Sequence, residues 1–400
     1  FCLLRSFATP IYIILYGFIH VYFKFKKKNY KMILMRTNFD VKFFIFLGFF
    51  LFISVSKSTH ILKDDFEEWL SFNLENHKEE TNLLQQNVDS KLREAESQKV
   101  IIRVNKNSQA NFKTIKEALN SIPVPNTKRV IILIAAGVYR EKIVIPETLP
   151  FITFSGDAMN RTVITWNDSY STIGSDGHPL ETFNSASVAV NADYFVAINI
   201  VFENTASYSK SKVEQAVALR ISGNKSAFYH CEFYGVQDTL YDHKGLHYFK
   251  NCHIQGSVDF IFGFGRSLYE GCTLTSISKK LNYITAQKRS TLSLDSGFSF
   301  KNSYVKGIGE VYLGRPWGEY SRVIFSYTFM EKIVLPQGWD DKFGSDKRNI
   351  TMLYYGEYKC SGPGSNFSGR VPWVRKLTDQ EIRPFDGTHF IQGDTWLTTH

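Results

Sequence analysis

The chain has 400 residues, which allows one large domain or two ordinary ones, and its aromatic content of 15% argues against a disordered protein. The net charge of +9 is uneven, because residues 1–59 carry +8, residues 60–100 carry −5 and residues 101–400 carry +6. The main part of the chain is therefore only mildly basic. Its charge is compatible with a polyanionic ligand and does not indicate nucleic-acid binding.

The N-terminal segment has the pattern of a targeting sequence. The apolar run Phe43–Val55 is too short for a comfortable membrane span, so we expect a signal peptide cleaved near Ser54-Val55-Ser56. A signal anchor is the alternative, favoured by the earlier apolar stretch Ile11–Phe23. We expect residues 1–58, an upstream segment plus the signal peptide, to be removed, leaving a secreted protein without stable membrane insertion.

The elements predicted next are helices and then strands. Residues 59–100 are acidic, with apolar residues at loose helical spacing, and predict one or two helices leading into a domain of residues 101–400. A short helix over Ile115–Ile122 follows, with Thr114 as its N-cap. From Arg129 onward, short β-branched and aromatic runs alternate with turn residues, and no long amphipathic helix interrupts them. This pattern excludes alternating βα units and leaves a sandwich, a barrel or a solenoid. The predicted strands are Val130–Ala135, Lys142–Ile145, Phe151–Ser155, Thr162–Thr165, Ser187–Val190, Phe195–Phe202, Ala216–Ile221 and Ala227–Phe233.

Internal similarity selects the solenoid. The run Ala227–Phe233 recurs as His247–Ile254 and as Ser267–Leu274, with weaker echoes at Phe298–Val305 and Val323–Met330. A period of 20–33 residues without a helix in each repeat predicts an all-β parallel β-helix. Equivalent residues of successive coils would lie about 4.8 Å apart and form aliphatic, aromatic and cysteine ladders inside.

Five cysteines suit an oxidising compartment and one or two disulfides. Cys252 and Cys272 are 20 residues apart, so they would be neighbours on adjacent coils and within bridging distance, although Cys231 could compete. Cys2 falls in the segment expected to be removed. Glycosylation sequons behind a signal peptide predict a glycoprotein. The candidate asparagines are Asn160, Asn167, Asn224, Asn349 and Asn366.

The residues with catalytic potential are also one coil apart. Asp238 and Asp259 are separated by 21 residues, and Gln215 precedes Gln237 by 22 residues. These side chains would occupy three successive rungs, which brings two carboxylates and two amides together. Two adjacent carboxylates cannot both ionise freely, which predicts one acid and one nucleophile or base, and the amides can donate to an oxyanion.

Arg315 predicts which of the two carboxylates is ionised. An arginine lowers the pKa of the aspartate that it contacts and orients it through a bidentate contact. The contacted aspartate would be the anionic nucleophile, and the other would carry the proton. For any one of these residues taken singly, a structural role in capping backbone amides at a solenoid turn stays open.

Five segments resemble the pectin methylesterases of plant cell walls, and the resemblance extends from about Ile101 to Trp396. In chain order they are Gly137-Val138-Tyr139-Arg140-Glu141, Gln215–Leu219, Gln237–Tyr241, Val258–Gly263 and Leu313–Trp317. The resemblance implies a right-handed parallel β-helix that hydrolyses the methyl esters of homogalacturonan, releasing methanol and pectate. It implies no metal or organic cofactor, a monomer in the cell wall, and a proteinaceous pectinesterase inhibitor as a candidate partner. It points to the group without an inhibitor-like pro-domain.

The resemblance also implies a role for each matching catalytic position. Asp259 attacks the ester carbonyl, and Gln215 and Gln237 hold the resulting oxyanion. Asp238 protonates the departing methanol and then activates the water that hydrolyses the acyl-enzyme. Arg315 anchors Asp259.

Other matching positions imply substrate contacts and structure. Thr182 and Trp317 match substrate-contact positions, as do Gln215 and Arg315, and Phe183 is expected to floor the cleft, with core packing as the alternative. Cys252 and Cys272 match a disulfide of the family. Tyr139 and Glu141 belong to a motif expected to be structural.

The chain departs from the family pattern in two places. One is Asp242–Phe249, where relatives carry a His-Ser-x-Arg-Gln-Phe type of run, and the other is Phe264-Gly265-Arg266, where relatives often carry Asn-Ala-Ala. Both flank the expected cleft, so the resemblance leaves the methylation-pattern preference and the pH optimum open. The competing interpretations are a polysaccharide lyase or galacturonase on the same fold, and a non-catalytic pectin-binding wall protein.

Overall fold

The computed structural model describes residues 88–106, 110–206, 213–340 and 350–398. The predicted signal peptide, most of the segment 59–100, Cys2 and Asn349 lie outside these residues. Among the described residues, no helix has both the length and the apolar character needed to cross a membrane.

Three parallel sheets wind into a right-handed parallel β-helix, as the repeats and the resemblance predict. One coil passes through each sheet in turn. The first sheet contains Val100–Val104, Val130–Ile134, Ile152–Gly156, Val196–Ile198, Ser226–Tyr229, Leu246–Lys250, Arg266–Glu270, Gly297–Lys301, Arg322–Ser326, Tyr354–Tyr358 and Arg375–Lys376. The second contains Gly137–Arg140, Thr162–Trp166, Ile200–Asn204, Glu232–Tyr234, His253–Gly256, Thr273–Ser276, Tyr304–Gly307 and Phe329–Met330. The third contains Ile143–Ile145, Val188–Val190, Leu219–Ile221, Leu240–Asp242, Ile261–Gly263, Leu281–Gln287 and Glu310–Pro316.

Single residues in the left-handed conformation turn the chain from the first sheet into the second. Asn199, His230, Asn251 and Asn302 have φ of 56°, 53°, 53° and 50°. Asparagine tolerates this conformation better than most residues with a Cβ atom. The continuous strand predicted over Phe195–Phe202 is therefore wrong, because Asn199 divides it into two strands that belong to different sheets.

In the part of the chain that the structure describes, four short α-helices accompany the coils: Ser90–Ser97, Ile115–Asn120, Glu181–Asn184 and Asp379–Ile382. Short 3₁₀ helices follow the last long coil, at Ile350–Met352, Phe367–Gly369, Thr388–Ile391 and Gly393–Thr395. The helix predicted after Thr114 is confirmed, because the Thr114 hydroxyl accepts from the Glu117 amide and the Glu117 carboxylate accepts from the Thr114 amide. The first helix confirms one helix in the lead-in segment.

An aromatic ladder fills the interior of the central coils. Phe228, Phe249, Tyr269, Phe300 and Phe325 stack in sequence, with ring centroids 4.7, 4.5, 4.5 and 4.5 Å apart. These distances match the spacing between hydrogen-bonded strands, because each ring lies at the same register position of successive coils. The ladder thus holds the coils in the register on which the polar rungs depend.

Replacing Phe249 by alanine in the middle of this ladder should lower the free energy of unfolding by about 3–5 kcal/mol. The ring is fully buried between Phe228 and Tyr269, so its removal leaves a cavity that parallel strands on both sides cannot easily close. Urea denaturation of the folded wild-type and variant proteins measures the change. The exposed Leu292, also changed to alanine, is the control and should cost little; equal losses in both variants would contradict the ladder's role.

The Cys252–Cys272 disulfide predicted from the sequence is not formed in the structure. Among the described residues, Cys231, Cys252, Cys272 and Cys360 are free thiols. The Sγ atoms of Cys252 and Cys272 instead lie 3.5 Å and 3.4 Å from carbonyl oxygens of the preceding coil, those of Phe228 and Phe249. The two cysteines lie on successive coils, as their spacing predicts, but their thiols donate to the backbone.

Candidate active site

The outer face of the third sheet forms the floor of a cleft of about 570 Å³. Along each strand, one side chain points into the core and the next points outward, so Leu240 joins the core while Tyr241 faces the cleft. The outward row runs across the strands at one register position, from Arg220 through Tyr241, Phe262 and Ala286 to Arg315.

Asp238 and Asp259 lie at the edge of this floor, where the chain enters the third sheet. Both have left-handed backbones, with φ of 61° and 51°, which aspartate tolerates better than most residues. The Asp238 amide donates to the Val258 carbonyl at 3.1 Å, and Leu240 pairs with Ile261, so the two aspartates occupy equivalent positions of adjacent coils. The 21-residue spacing therefore places the two aspartates side by side on adjacent coils, as predicted.

Gln215 and Gln237 complete the three rungs. An isolated parallel bridge joins them, and the Ala216 amide donates to the Gln237 carbonyl at 3.2 Å. Both glutamines line the cleft together with the two aspartates. Their side-chain amides make no hydrogen bond to any residue that the structure describes, so the amide N–H groups are available to a bound molecule.

Arg315 contacts one aspartate of the pair. Its Nε donates to Asp259 Oδ1 at 2.9 Å and its Nη2 donates to Asp259 Oδ2, which is a bidentate contact. Arg315 comes from the strand Glu310–Pro316, two strands beyond the strand that follows Asp259. The arginine thus breaks the symmetry of the pair, as the sequence predicted.

Burial changes the predicted electrostatics of the pair. Burial, and secondly the charge of Asp259, raise the pKa of Asp238 well above its usual range. Burial also raises the pKa of Asp259, and the hydrogen bonds from Arg315 oppose this rise without overcoming it. Arg315 therefore lowers the pKa of the aspartate that it contacts, as expected, but burial outweighs this effect. The order of the pair is as expected, because the carboxyl without the arginine is the stronger holder of a proton.

The positions expected to contact a substrate also line the cleft. Thr182 and Phe183 belong to the short helix Glu181–Asn184, and Trp317 follows Arg315 at the other side. Phe183 is 40% exposed, and its ring lies 3.7 Å from the guanidinium carbon of the buried Arg220. Phe183 therefore forms a wall of the cleft, and core packing does not describe it.

The first departure from the family pattern flanks the cleft as expected. The His243 ring packs edge-on against Phe183, and burial lowers its pKa to about 4. His247, in contrast, lies inside the coil, where its Nδ1 contacts Asp242 Oδ1 at 2.5 Å. In the second departure, Phe264 contacts the His243 ring, whereas Arg266 pairs with Asp295.

The structural motif and the sequons lie away from the cleft. Tyr139 is buried and donates from its hydroxyl to the Ala135 carbonyl, and the Glu141 carboxylate accepts from the amides of Ile115 and Lys116. This motif is structural, as expected. Three candidate glycosylation sites are exposed, Asn224 is half-buried and its Oδ1 accepts from the Leu246 amide, and modification of any of them stays a prediction. The exposed sites are Asn160, Asn167 and Asn366.

Sequence reasoning missed several residues of the cleft and its surroundings. Tyr241 and Phe262 each follow a catalytic candidate by three residues, and the alternation of strand side chains could have placed them on the outer face. Tyr283 and Asp340 lie beside Arg315, and no signal in the sequence identifies them.

The arrangement brings together in one cleft a carboxyl group oriented by an arginine, a second carboxyl group whose pKa is raised further, and two side-chain amides. These groups suit the attack on an ester carbonyl and the protonation of the leaving alkoxide. The described residues contain no group of three or more His, Cys, Asp or Glu side chains that could hold a metal ion.

Known proteins are similar to most of this chain. The family model described as Pectinesterase matches residues 101–394. Pectinesterase QRT1 of Arabidopsis thaliana is 42% identical over 80% of this chain and 84% of its own length, and pectinesterase 31 of the same plant is 38% identical over 74% and 95%. The structure of pectin methylesterase from carrot is 35% identical, with a TM-score of 0.68 over 74% of this chain and 94% of that one. A pectin methylesterase in complex with a hexasaccharide is 28% identical, with a TM-score of 0.65 over 74% and 98%.

Proposed function

Since the chain belongs to the pectinesterase family, we propose that it hydrolyses the methyl esters of cell-wall pectin and releases methanol. The observation that carries the proposal is the asymmetric pair of buried carboxylates, of which only Asp259 receives the bidentate contact of Arg315. A pure binding protein has no need for such a pair. The substrate class is methyl-esterified homogalacturonan.

In the first half of the reaction, Asp259 attacks the carbonyl carbon of the methyl ester. Arg315 orients the carboxylate through two hydrogen bonds, and the developing oxyanion accepts from the side-chain amides of Gln215 and Gln237. Collapse of this intermediate expels methoxide, which takes the proton of Asp238. The products are methanol and an anhydride between Asp259 and the galacturonate.

In the second half, the ionised Asp238 accepts a proton from a water molecule that attacks the anhydride. The same two glutamines stabilise the second oxyanion, and the collapse returns Asp259 to its carboxylate form. Asp238 ends the cycle protonated, which fits a carboxyl whose pKa is raised well above its usual range. No group outside the site has to supply or remove a proton.

The cleft suits a chain of sugar rings. Phe183, Tyr241, Phe262 and Trp317 line it, and aromatic faces are favourable surfaces for the apolar faces of sugars. Thr182 adds a hydroxyl at the wall. Trp317 is 38% exposed, and the Lys288 ammonium lies 4.1 Å from the centre of its ring. A cation therefore lies beside the cleft in which the polyanionic pectin chain would bind.

A polysaccharide lyase would need a basic residue that abstracts a proton from the sugar. Arg315 is a poor candidate, because its hydrogen bonds to Asp259 raise the pKa of its guanidinium further. A galacturonase would use a cluster of aspartates rather than a carboxylate pair beside two glutamines. Cleavage of the sugar chain is therefore the less favoured chemistry for this cleft.

The location and partners follow from the same proposal. We infer that the protein is secreted to the cell wall as a monomer, and that a proteinaceous pectinesterase inhibitor could cover the cleft. Residues 1–58 are proposed to be removed on secretion, and residues 101–400 to form the catalytic domain.

Methanol release from highly methylated pectin by the purified protein tests the proposed function. We expect methanol in step with newly titratable carboxyl groups, and no shortening of the sugar chain. Unsaturated or shortened products without methanol would identify a lyase or a galacturonase. Binding of pectin without any product would identify the non-catalytic wall protein.

A further inference from the structure

We propose that Asp340, held by Tyr283, is a positioning residue of this site, because it shares the guanidinium of Arg315 with the nucleophile Asp259. The inference rests on the proposed esterase function and extends it to residues outside the five family segments. Asp340 follows Arg315 by 25 residues and belongs to the next passage of the chain along the third sheet.

The backbone places Asp340 beside Arg315. Trp339 forms a parallel bridge with Gly314, and the Asp340 amide donates to the Gly314 carbonyl at 3.1 Å. Trp339 is fully buried and its Nε1 donates to the Glu357 carboxylate at 3.2 Å, which holds this segment in place. Asp340 is itself only 6% exposed, so its carboxylate needs polar partners within the protein.

Tyr283 connects Asp340 with Arg315. Its ring lies 5.0 Å from the guanidinium carbon of Arg315, and its hydroxyl is hydrogen-bonded to the Asp340 carboxylate. Burial, together with the nearby Asp340 charge, raises the pKa of Tyr283 to about 12, so the hydroxyl keeps its proton and donates it to this bond. One side chain therefore contacts both the cation and the second anion.

Arg315 is consequently in bidentate contact with Asp259 and is also affected by the charge of Asp340. The charged groups that act on Asp259 among the described residues are Arg315 and Asp340, and Asp259 in turn acts on Asp238 of the adjacent coil. Asp340 raises the pKa of Asp259, in opposition to the hydrogen bonds from Arg315, and it adds to the rise in the pKa of Arg315.

This sharing has a consequence for the chemistry. A carboxylate whose charge is fully neutralised by an arginine is well oriented but weakly basic. A less basic nucleophile attacks a carbonyl more slowly. With Asp340 present, Arg315 can orient Asp259 while neutralising less of its charge. Asp340 thus allows Arg315 to orient Asp259 without making Asp259 a much weaker nucleophile.

Asp340→Asn is the decisive variant, because it removes the charge and keeps the size and an acceptor oxygen for Tyr283. We expect the acidic limb of the kcat/KM profile for methanol release to move to lower pH by roughly 0.5–1 unit. We expect kcat at the plateau to fall roughly three- to tenfold, because the nucleophile is weaker, with KM for pectin within about twofold of wild type. A purely structural role for Asp340 would lower the amount of folded enzyme without moving the limb.

Two further variants keep the test decisive. Tyr283→Phe retains the charge of Asp340 but removes the hydrogen bond that disperses it, so the acidic limb should move in the opposite direction, to higher pH. Asp295→Asn makes the same chemical change at an exposed aspartate that pairs with Arg266 and Arg322. This matched control should leave the profile of the wild type unchanged.

The outcomes are distinguishable from failure of the proposed function. If wild-type protein releases no methanol, the esterase function is overturned. If it does, and folded Asp340→Asn keeps the acidic limb of the wild type, the positioning role is overturned. If Asp340→Asn does not fold, Tyr283→Phe decides, and a limb that stays or moves to lower pH rejects the proposal.

Discussion

Asp259→Ala should reduce methanol release from methyl-esterified pectin by about 10⁴-fold or more, the loss expected when the nucleophile of a catalytic set is removed. Asp259 is the carboxylate that Arg315 orients, and alanine has no atom that can form the acyl-enzyme. The Asp238 carboxyl that remains lacks the contact with arginine. Methanol release in single-turnover and steady-state assays measures the loss.

Binding of an oligosaccharide to the Asp259→Ala variant is the control for this experiment. The aromatic residues Tyr241, Phe262 and Trp317 remain in place, so Asp259→Ala should still bind a methylated galacturonate oligosaccharide with an affinity near that of the wild type. Asp295→Asn serves again as an active aspartate variant. Methanol release by folded Asp259→Ala within about tenfold of the wild type would contradict the nucleophile assignment.

Asp238→Asn should have two effects of opposite sign. Methanol release should fall by about 10²–10⁴-fold, because the amide can neither protonate methoxide nor accept a proton from water. The free energy of unfolding at neutral pH should rise, because the variant no longer buries an ionisable carboxyl next to Asp259. A variant that is less active and more stable is typical of a site that buries an ionisable group for function.

The pH dependence of this stability gain follows from the direction of the pKa shift. The pKa of Asp238 is raised in the folded protein, so its contribution to stability is fully present below the ordinary aspartate pKa. That contribution is lost as the pH rises through the folded-state pKa. The unfolding midpoint of Asp238→Asn should therefore exceed that of the wild type at pH 8, and the two should converge near pH 3.5. An equal difference at both pH values would contradict the assignment of the raised pKa.

Much of this architecture can be predicted from the chain alone, because a solenoid converts spacing into proximity. Residues 21 apart, such as Asp238 and Asp259, must become neighbours once the coil period is near 21. The same logic placed the rings of Phe228 and Phe249 in one stack. Local repeats are sufficient here because each coil contacts mainly the coils before and after it.

The predictions of one strand over Phe195–Phe202 and of a Cys252–Cys272 disulfide were wrong, because residue spacing alone determines neither feature. The corner at Asn199 divides a run of apolar residues that looks like one strand, because a single left-handed residue is enough to change sheets. Cys252 and Cys272 do lie on adjacent coils, but adjacency does not decide whether a thiol donates to a carbonyl or bonds to another sulfur.

The sequence by itself determined the repeat length of the coils and which residues occupy successive rungs. It therefore determined that two aspartates lie beside two glutamines. Only the tertiary structure decided that the pKa of both aspartates lies above its ordinary value. These shifts depend on burial, on Arg315 from 56 residues beyond Asp259 and on Asp340 from a later coil still. A pKa responds to every charge and to the desolvation around it, and these arise from contacts between distant coils that no local spacing records.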